Sequence, residues 1–277
     1  MRVKTLFVLL IVFVIILTAG VPWAGGYQFR YKFSPATTYS LRSKDHIVTE
    51  GNMGIASQME MTEVTLCKYR FGAPDKHGNI PFKAALVKSD EKLLVDGKKF
   101  PPSAGGSGEQ QRWRAKGVIT NKGKVISLYL QGHKQKDETF RRSKEKEVFP
   151  FPEFPARPLK IGDHFENVDR YEMEGMILVT TTRYTLESLQ GGEAEFSIRF
   201  FQETKRSPSS NVNTTIKSRG KGQAIFDLKK GFFREIKMAI VSEMETKIPQ
   251  MPSTPSAVPA VMRTRTKVKS IQKMDVD

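Results

Sequence analysis

The sequence predicts a mainly β protein: antiparallel, curved sheets in two similar halves, half-barrel-like, joined by a proline-rich crossover. Three observations predict it. After residue 26 apolar residues recur with period two far more often than with period 3.6. Turn signals separate these runs. A proline cluster that suits neither helix nor central strand divides the chain nearly in half.

The elements follow in order. Tyr27, Phe29, Tyr31 and Phe33 share one face of a first strand, with Arg30 and Lys32 opposite, because successive strand side chains alternate between faces. Ile80, Phe82, Ala84 and Leu86 form a second such face; Ala194, Phe196, Ile198 and Phe200 form a third. Ile236, Met238 and Ile240 form a fourth. Between them lie the turn signals Asp75–Asn79, Asn121-Lys122-Gly123, Gly191-Gly192 and Lys229-Lys230-Gly231. Regular alternation indicates antiparallel sheet with one face buried and one wet.

Helix signals are thin. Lys134–Glu147 is charge-rich with little apolar face, which suits a solvated helix or a loop. Ser103–Gly108 reads as a flexible loop, and the prolines of Pro249–Val261 mark an extended connector. Phe149-Pro150-Phe151-Pro152-Glu153-Phe154-Pro155-Ala156-Arg157-Pro158 holds four prolines in ten residues. Its phenylalanines are too apolar for a free linker, so the reading is an ordered crossover pinned to the core and ending at Lys160-Ile161-Gly162-Asp163. The expected organisation is therefore a first β-rich half at 27–147, the crossover at 148–163 and a second half at 164–273.

The halves resemble each other at three places. Thr62–Leu66 matches Thr182–Leu186, Gly78–Leu86 matches Gly192–Phe200, and Arg112–Gly117 matches Lys217–Gly222. The offsets are 120, 114 and 105 residues, in one order. That pattern predicts a structural duplication, against the alternative of two unrelated stretches of sheet.

At the N-terminus, Arg2 and Lys4 precede twelve apolar residues, Leu6–Leu17, and then Thr18, Ala19 and Gly20. The run falls short of the roughly 20 residues that span a bilayer. A basic start, a short apolar region and small residues predict a secretory signal over residues 1–24, with cleavage after Gly20, Ala24 or Gly26 and Ala24 favoured among them. An uncleaved membrane anchor is the alternative. Leu17-Thr18-Ala19-Gly20 begins like a lipoprotein box, but Val21 stands where lipidation needs Cys. Export makes the mature protein periplasmic or secreted and takes the formal charge from +16 to +14. Cys67, the single cysteine, excludes a disulfide framework and reads as a small core residue.

The aromatic-basic opening Tyr27–Phe33, the crossover ending in Gly162-Asp163, and Gly222-x-Ala224-x-Phe226-Asp227 before Gly231 resemble a family of uncharacterised secreted bacterial proteins, a domain of unknown function. The resemblance spans most of residues 27–273. It implies an exported bacterial β-protein and carries over no catalytic residue.

No catalytic signature appears. His46, His77, His133 and His164 stand at no metal-ligand spacing from one another. Gly105-Gly106-Ser107-Gly108 lacks the strand and helix that a nucleophile elbow requires. Phosphate-loop and dinucleotide fingerprints are missing. Glu172 and Glu174 share a strand face, which suits solvation better than acid–base work. Asn213-Thr214-Thr215 fits a glycosylation acceptor, relevant only to a eukaryotic source.

Basic charge is the most specific remaining signal: 45 Lys+Arg against 29 Asp+Glu. Arg112, Arg114 and Lys116 alternate, as do Lys217, Arg219 and Lys221, and Arg263, Arg265, Lys267 and Lys269. Each run is a ribbon of like charge on one strand face, either a solvated face that blocks edge pairing or an anion-binding surface. The first two runs hold corresponding places in the proposed repeat, so neighbouring strands could merge them.

These features predict an exported, non-enzymatic envelope protein with no cofactor. Its large apolar content suits a lipid, and its ribbons suit anionic lipid or another envelope polymer. The alternative is a protein-binding scaffold that meets another envelope protein through the crossover phenylalanines and a strand edge. A hydrolase with a scattered site ranks third. Export argues against nucleic acid despite the favourable charge.

Overall fold

The computed structural model describes residues 26–51, 57–99, 113–131, 145–173, 176–206, 214–247 and 261–277. The predicted signal segment, Arg112, His133, Ser103–Gly108, Glu174, Asn213 and nearly all of the Pro249–Val261 connector lie outside them. No helix among the described residues is long and apolar enough to cross a membrane.

The alternating sequence forms one antiparallel sheet. Its first six strands are β1 (Thr38–Gly51), β2 (Gln58–Phe71), β3 (Asn79–Val95), β4 (Lys98–Lys99), β5 (Arg114–Thr120) and β6 (Val125–Leu130). The second six are β7 (His164–Met173), β8 (Met176–Gln190), β9 (Glu193–Arg206), β10 (Thr214–Asp227), β11 (Phe232–Lys247) and β12 (Val261–Val276). The order is β6-β5-β3-β2-β1-β12-β11-β10-β9-β8-β7, with the short β4 paired to β3. Two meanders thus meet where β1 pairs β12, from Tyr39↔Val276 to Gly51↔Thr264. The sheet does not close, and β6 and β7 are its edges.

The turns fall where glycine signals placed them. Asp75 accepts hydrogen bonds from the His77 and Asn79 amides in the β2–β3 turn. Gly123, Gly191, Gly192 and Gly231 take positive φ in the β5–β6, β8–β9 and β10–β11 turns.

Two expectations are corrected. Separate curved sheets give way to one continuous sheet. Tyr27–Phe33 is not a sheet strand but an extended segment with a single bridge, Tyr27↔Leu159. Its alternation is nonetheless real: Phe29, Tyr31 and Phe33 are buried and Arg30 and Lys32 exposed. The duplication is not shown either. Leu66 stands opposite Lys88, whereas its match Leu186 stands opposite Phe196, the counterpart of Phe82. The matched strands therefore differ in register.

Packing explains why the opening segment leaves the ladder. One sheet has two faces, and an apolar face needs a cover. Here the cover lies at one end only. Phe29, Tyr31 and Phe33 meet Phe149, Phe151 and Phe154 over Phe71, Phe82, Phe196, Phe226, Phe232 and Phe233 in one buried cluster. Phe154 sits at its centre, with ring centroids 5.2 Å from Tyr31, 5.3 Å from Phe29, 5.2 Å from Phe226 and 5.6 Å from Phe233.

Backbone bonds fix the cover to both halves. The Tyr31 amide donates to Asn121 O at 2.7 Å and the Lys32 amide to Gly231 O at 2.9 Å. Both anchor turns need glycine: a Cβ at Gly123 would lie 2.6 Å from Pro152 O, and one at Gly231 would lie 2.5 Å from Lys32 Cβ. The Phe154 amide donates to Lys122 O at 2.8 Å, while Glu153 exchanges two bonds with the Asn167 side chain on β7. Residues 145–154, beginning with one helical turn at 145–148, thereby stitch the two sheet edges together. Tyr31 and Tyr69 hydroxyls donate to Pro152 O at 2.9 Å and Val148 O at 2.8 Å, satisfying carbonyls that no ladder serves. Burial holds both phenols well above their ordinary pKa.

Phe154→Ala should cost about 3–5 kcal/mol, and Tyr31→Phe about 1–3 kcal/mol because Pro152 O is left unpaired. Phe201→Ala, 45% exposed on the opposite face, should cost under about 0.5 kcal/mol. Urea unfolding curves of the three variants check the ranking.

Candidate functional site

Beyond the aromatic cluster the same face continues without a cover among the described residues. Leu93, Met61, Ile47, Val268, Ile240, Gly220 and Phe200 are successive cross-strand partners on β3, β2, β1, β12, β11, β10 and β9. All seven are half-buried. Among the described residues extensive strand contacts occur only between hydrogen-bonded neighbours, so no second sheet among them packs over this row. The residues facing away are mostly exposed on β10 and β12. The apolar row thus lies on the sheltered face, the same face that carries the aromatic cover, which is the sheet's inner side.

The next row outward is polar and pairs with itself. Thr49 and Thr266 hydroxyls lie 3.1 Å apart. Ser218 donates to Gln202 Oε1 at 3.0 Å, its hydroxyl lies 2.9 Å from that of Ser242, which can donate to it, and Gln202 donates through Nε2 to Thr180 at 3.0 Å. Beyond it Met244, Ile216 and Leu178 are apolar again and half-buried. Because the belt's side chains hydrogen-bond one another, an apolar chain lying across them displaces fewer water partners than isolated polar groups would need.

Between cluster and apolar row the inner face carries acids: Asp45, Glu63 and Glu91 are direct cross-strand neighbours. Burial raises the Glu63 pKa, and the Asp45, Glu91 and Glu147 charges add to the rise against a Ser89 hydrogen bond. No group of three His, Cys, Asp or Glu among the described residues could hold a metal ion. This inner acidity disfavours an anionic headgroup inside the trough. Sequence alternation alone could not reveal it, because each acid belongs to a different strand.

The basic runs all face outward. Arg114 and Lys116 lie on β5, Lys217, Arg219 and Lys221 on β10, and Arg263, Arg265, Lys267 and Lys269 on β12; Arg112 lies outside the described residues. The structure does not merge the first two runs, since β3, β2, β1, β12 and β11 stand between β5 and β10. The β12 ribbon is largely answered by acids. Arg263 pairs with Glu245 at 3.0 Å, Lys267 with Glu50 at 3.1 Å, and Arg265 lies opposite both Glu50 and Glu243. Lys217 likewise stands between Glu203 and Glu243.

Arg114 and Lys116 differ. They line an outer groove of about 980 Å³ together with Lys68, Arg70, Lys83 and Tyr129. The alternation Lys68-x-Arg70 was present in the sequence, but too short to separate from any wet strand face, and Lys83 stands alone there.

The crossover phenylalanines cannot serve a partner. Phe149, Phe151 and Phe154 are 1–2% exposed. Among the described histidines, His46 lies on the outer face of β1, His77 in a turn and His164 at the start of β7, so they do not converge.

Cys67 faces the core, and burial pushes its thiol up to about 12, with the Glu147 charge adding to the shift. Below about 9 the thiol is neutral in both states; above it only the unfolded chain ionises. Cys67 therefore favours unfolding progressively between about pH 9 and 12. At pH 8 the folded protein should resist a thiol reagent that labels it fully in urea; equal labelling rates would contradict this burial.

Comparison with protein families finds no match, and comparison with curated proteins finds none. Among solved structures, one of lipid–protein interactions in lipovitellin is similar at 10% identity, with a TM-score of 0.49, over 89% of this chain and 25% of that one. The chain thus spans a quarter of the length of the lipovitellin that it matches. Rv2717c from M. tuberculosis is similar at 10% identity, with a TM-score of 0.24 over 88% and 99% of the two chains. Pseudomonas aeruginosa OccK5 (OpdH) is similar at 5% identity, with a TM-score of 0.26 over 88% and 100%. None of these scores establishes a common fold.

Proposed function

We propose that this is an exported, non-enzymatic envelope protein whose inner face holds an uncharged apolar chain, for which a lipid acyl chain has the matching chemistry. Export rests on the pattern of residues 1–24, and the exported family that residues 27–273 resemble accords with it. The observation that carries the binding role is the half-buried apolar row across seven strands, bordered by a polar belt whose side chains hydrogen-bond one another.

The magnitudes suit reversible binding. Seven strands spaced about 4.8 Å apart offer a row about 29 Å wide. At about 0.8 kcal/mol per buried methylene, about ten methylenes supply about 8 kcal/mol, the scale of a micromolar dissociation constant before ordering costs. Inner acids exclude an anionic headgroup, which would stay at the rim or outside. The outward-facing cations suit anionic lipid or another envelope polymer.

The scaffold reading loses its main support with the burial of Phe149, Phe151 and Phe154. It keeps an open β6 edge, where Ile126 is 48% and Tyr129 51% exposed.

The uncharged fluorescent probe N-phenyl-naphthylamine should bind with micromolar affinity. Ile240→Ser with Met61→Ser should weaken it at least about tenfold, given about 1.4 kcal/mol per factor of ten. Val241→Ser, on the opposite face of β11, should leave it unchanged. Failure of the wild-type protein to bind, or equal loss in both variants, would overturn the reading.

A further inference from the structure

We infer that the outer groove over β2, β3, β5 and β6 is a binding site for a phosphate-bearing lipid headgroup, separate from the inner trough. Its core is a row of like charges. Arg70 stands opposite Lys83, and Lys83 opposite Lys116, on three adjacent strands. One step along, Lys68 and Arg114 flank Ala85 from either side. Like charges directly opposite each other destabilise a sheet. Elsewhere on this face cations meet acids, as Arg183 does Glu166, Lys267 does Glu50 and Lys273 does Glu235.

In the groove Lys68 alone is so matched among the described residues, by Asp277 at 2.9 Å. Arg70 donates through Nε to the neutral Thr38 hydroxyl at 3.1 Å, and Lys116 lies 5.0 Å from the centre of the Tyr129 ring. Among the described residues no ion pair ties Arg70, Lys83, Arg114 or Lys116 to a carboxylate. A repulsive row that the described residues leave unneutralised is pre-arranged for an external anion.

Shape narrows the class. Arg70 and Lys116 are two strand spacings apart, about 10 Å, which suits two phosphate groups or one bridged by several donors. A second groove, of about 620 Å³, borders the same cations from the other side, and its accessible apolar lining is Pro81, Val118 and the Tyr129 ring. A ligand seated on the row thus has charge contacts at one end and apolar contacts beside them. Ile126 and Tyr129 project from the adjacent edge strand. Phosphate joined to an apolar body is the chemistry of a lipid headgroup, whereas free phosphate would leave the second groove unused.

The test uses the full chain and sedimentation with phosphatidylcholine vesicles containing cardiolipin, which carries two phosphates, or phosphatidylserine at equal surface charge. Cardiolipin should be preferred. Arg70→Gln/Lys83→Gln/Lys116→Gln should weaken that binding at least about tenfold, since each engaged cation contributes. Lys267→Gln/Lys269→Gln/Lys273→Gln, with the same charge loss, should weaken it under about threefold.

The groove variant should keep or raise the wild-type Tm, because repulsion is removed, and it should still bind the naphthylamine probe. Failure of the groove and failure of the trough are therefore distinguishable. Equal loss in both triple variants would show that only net charge is read, and overturn the site. So would wild-type protein that ignores both vesicles, or that binds inorganic pyrophosphate while ignoring cardiolipin.

Discussion

Everything in this architecture depends on the burial of one aromatic cluster against one end of a single-layer sheet. A long antiparallel sheet exposes two faces, and the chain supplies no helix layer or second sheet among the described residues to cover either. Two short extended segments do that work with unusually large side chains. Phe29, Tyr31 and Phe33 from one, and Phe149, Phe151 and Phe154 from the other, interleave above the sheet's own phenylalanines. Edge-to-face and offset contacts among such rings add about 0.5–1.5 kcal/mol each to their area burial. The proline-rich segment suits this role because it cannot compete for ladder bonds. Tyrosine hydroxyls donate to its carbonyls at Val148 and Pro152.

The position of the cluster sets the character of the remaining surface. Covered at one end, the sheet has no second layer over the other among the described residues, so its inner face offers an apolar row without a partner strand among them. The seam at residues 145–154 ties the β6 and β7 edges together at the covered end, where Lys146 also pairs with Asp169 at 3.4 Å. Charge follows the same division. The inner face bears Asp45, Glu63 and Glu91, whereas the basic runs of β5, β10 and β12 point outward. A neutral chain inside and an anionic surface outside are the complementary occupants of such a sheet.

Much of this was legible in the sequence, for reasons that are local. Strand faces followed from alternation at Ile80–Leu86, Ala194–Phe200 and Ile236–Ile240. Turns followed from Gly78, Gly123, Gly191 and Gly231. What failed depended on neighbours distant in the chain. Tyr27–Phe33 alternates because one side is buried, and burial under a sheet leaves the same signature as membership in it. The three basic runs were visible, yet cross-strand partners decide their meaning. Glu50 and Glu245 neutralise one ribbon, while Arg70 and Lys83 enlarge another. The proposed repeat matched residue types but not pairing register, which only the assembled sheet defines.

Native mass spectrometry of the protein purified from its source without detergent, followed by solvent extraction, addresses the central claim most directly. The apolar inner row predicts a substoichiometric to one-to-one adduct that is released on unfolding and is recovered as an acyl-chain compound. A protein that arrives only at its bare polypeptide mass, and takes up no lipid from added extracts, would contradict the trough as a binding surface.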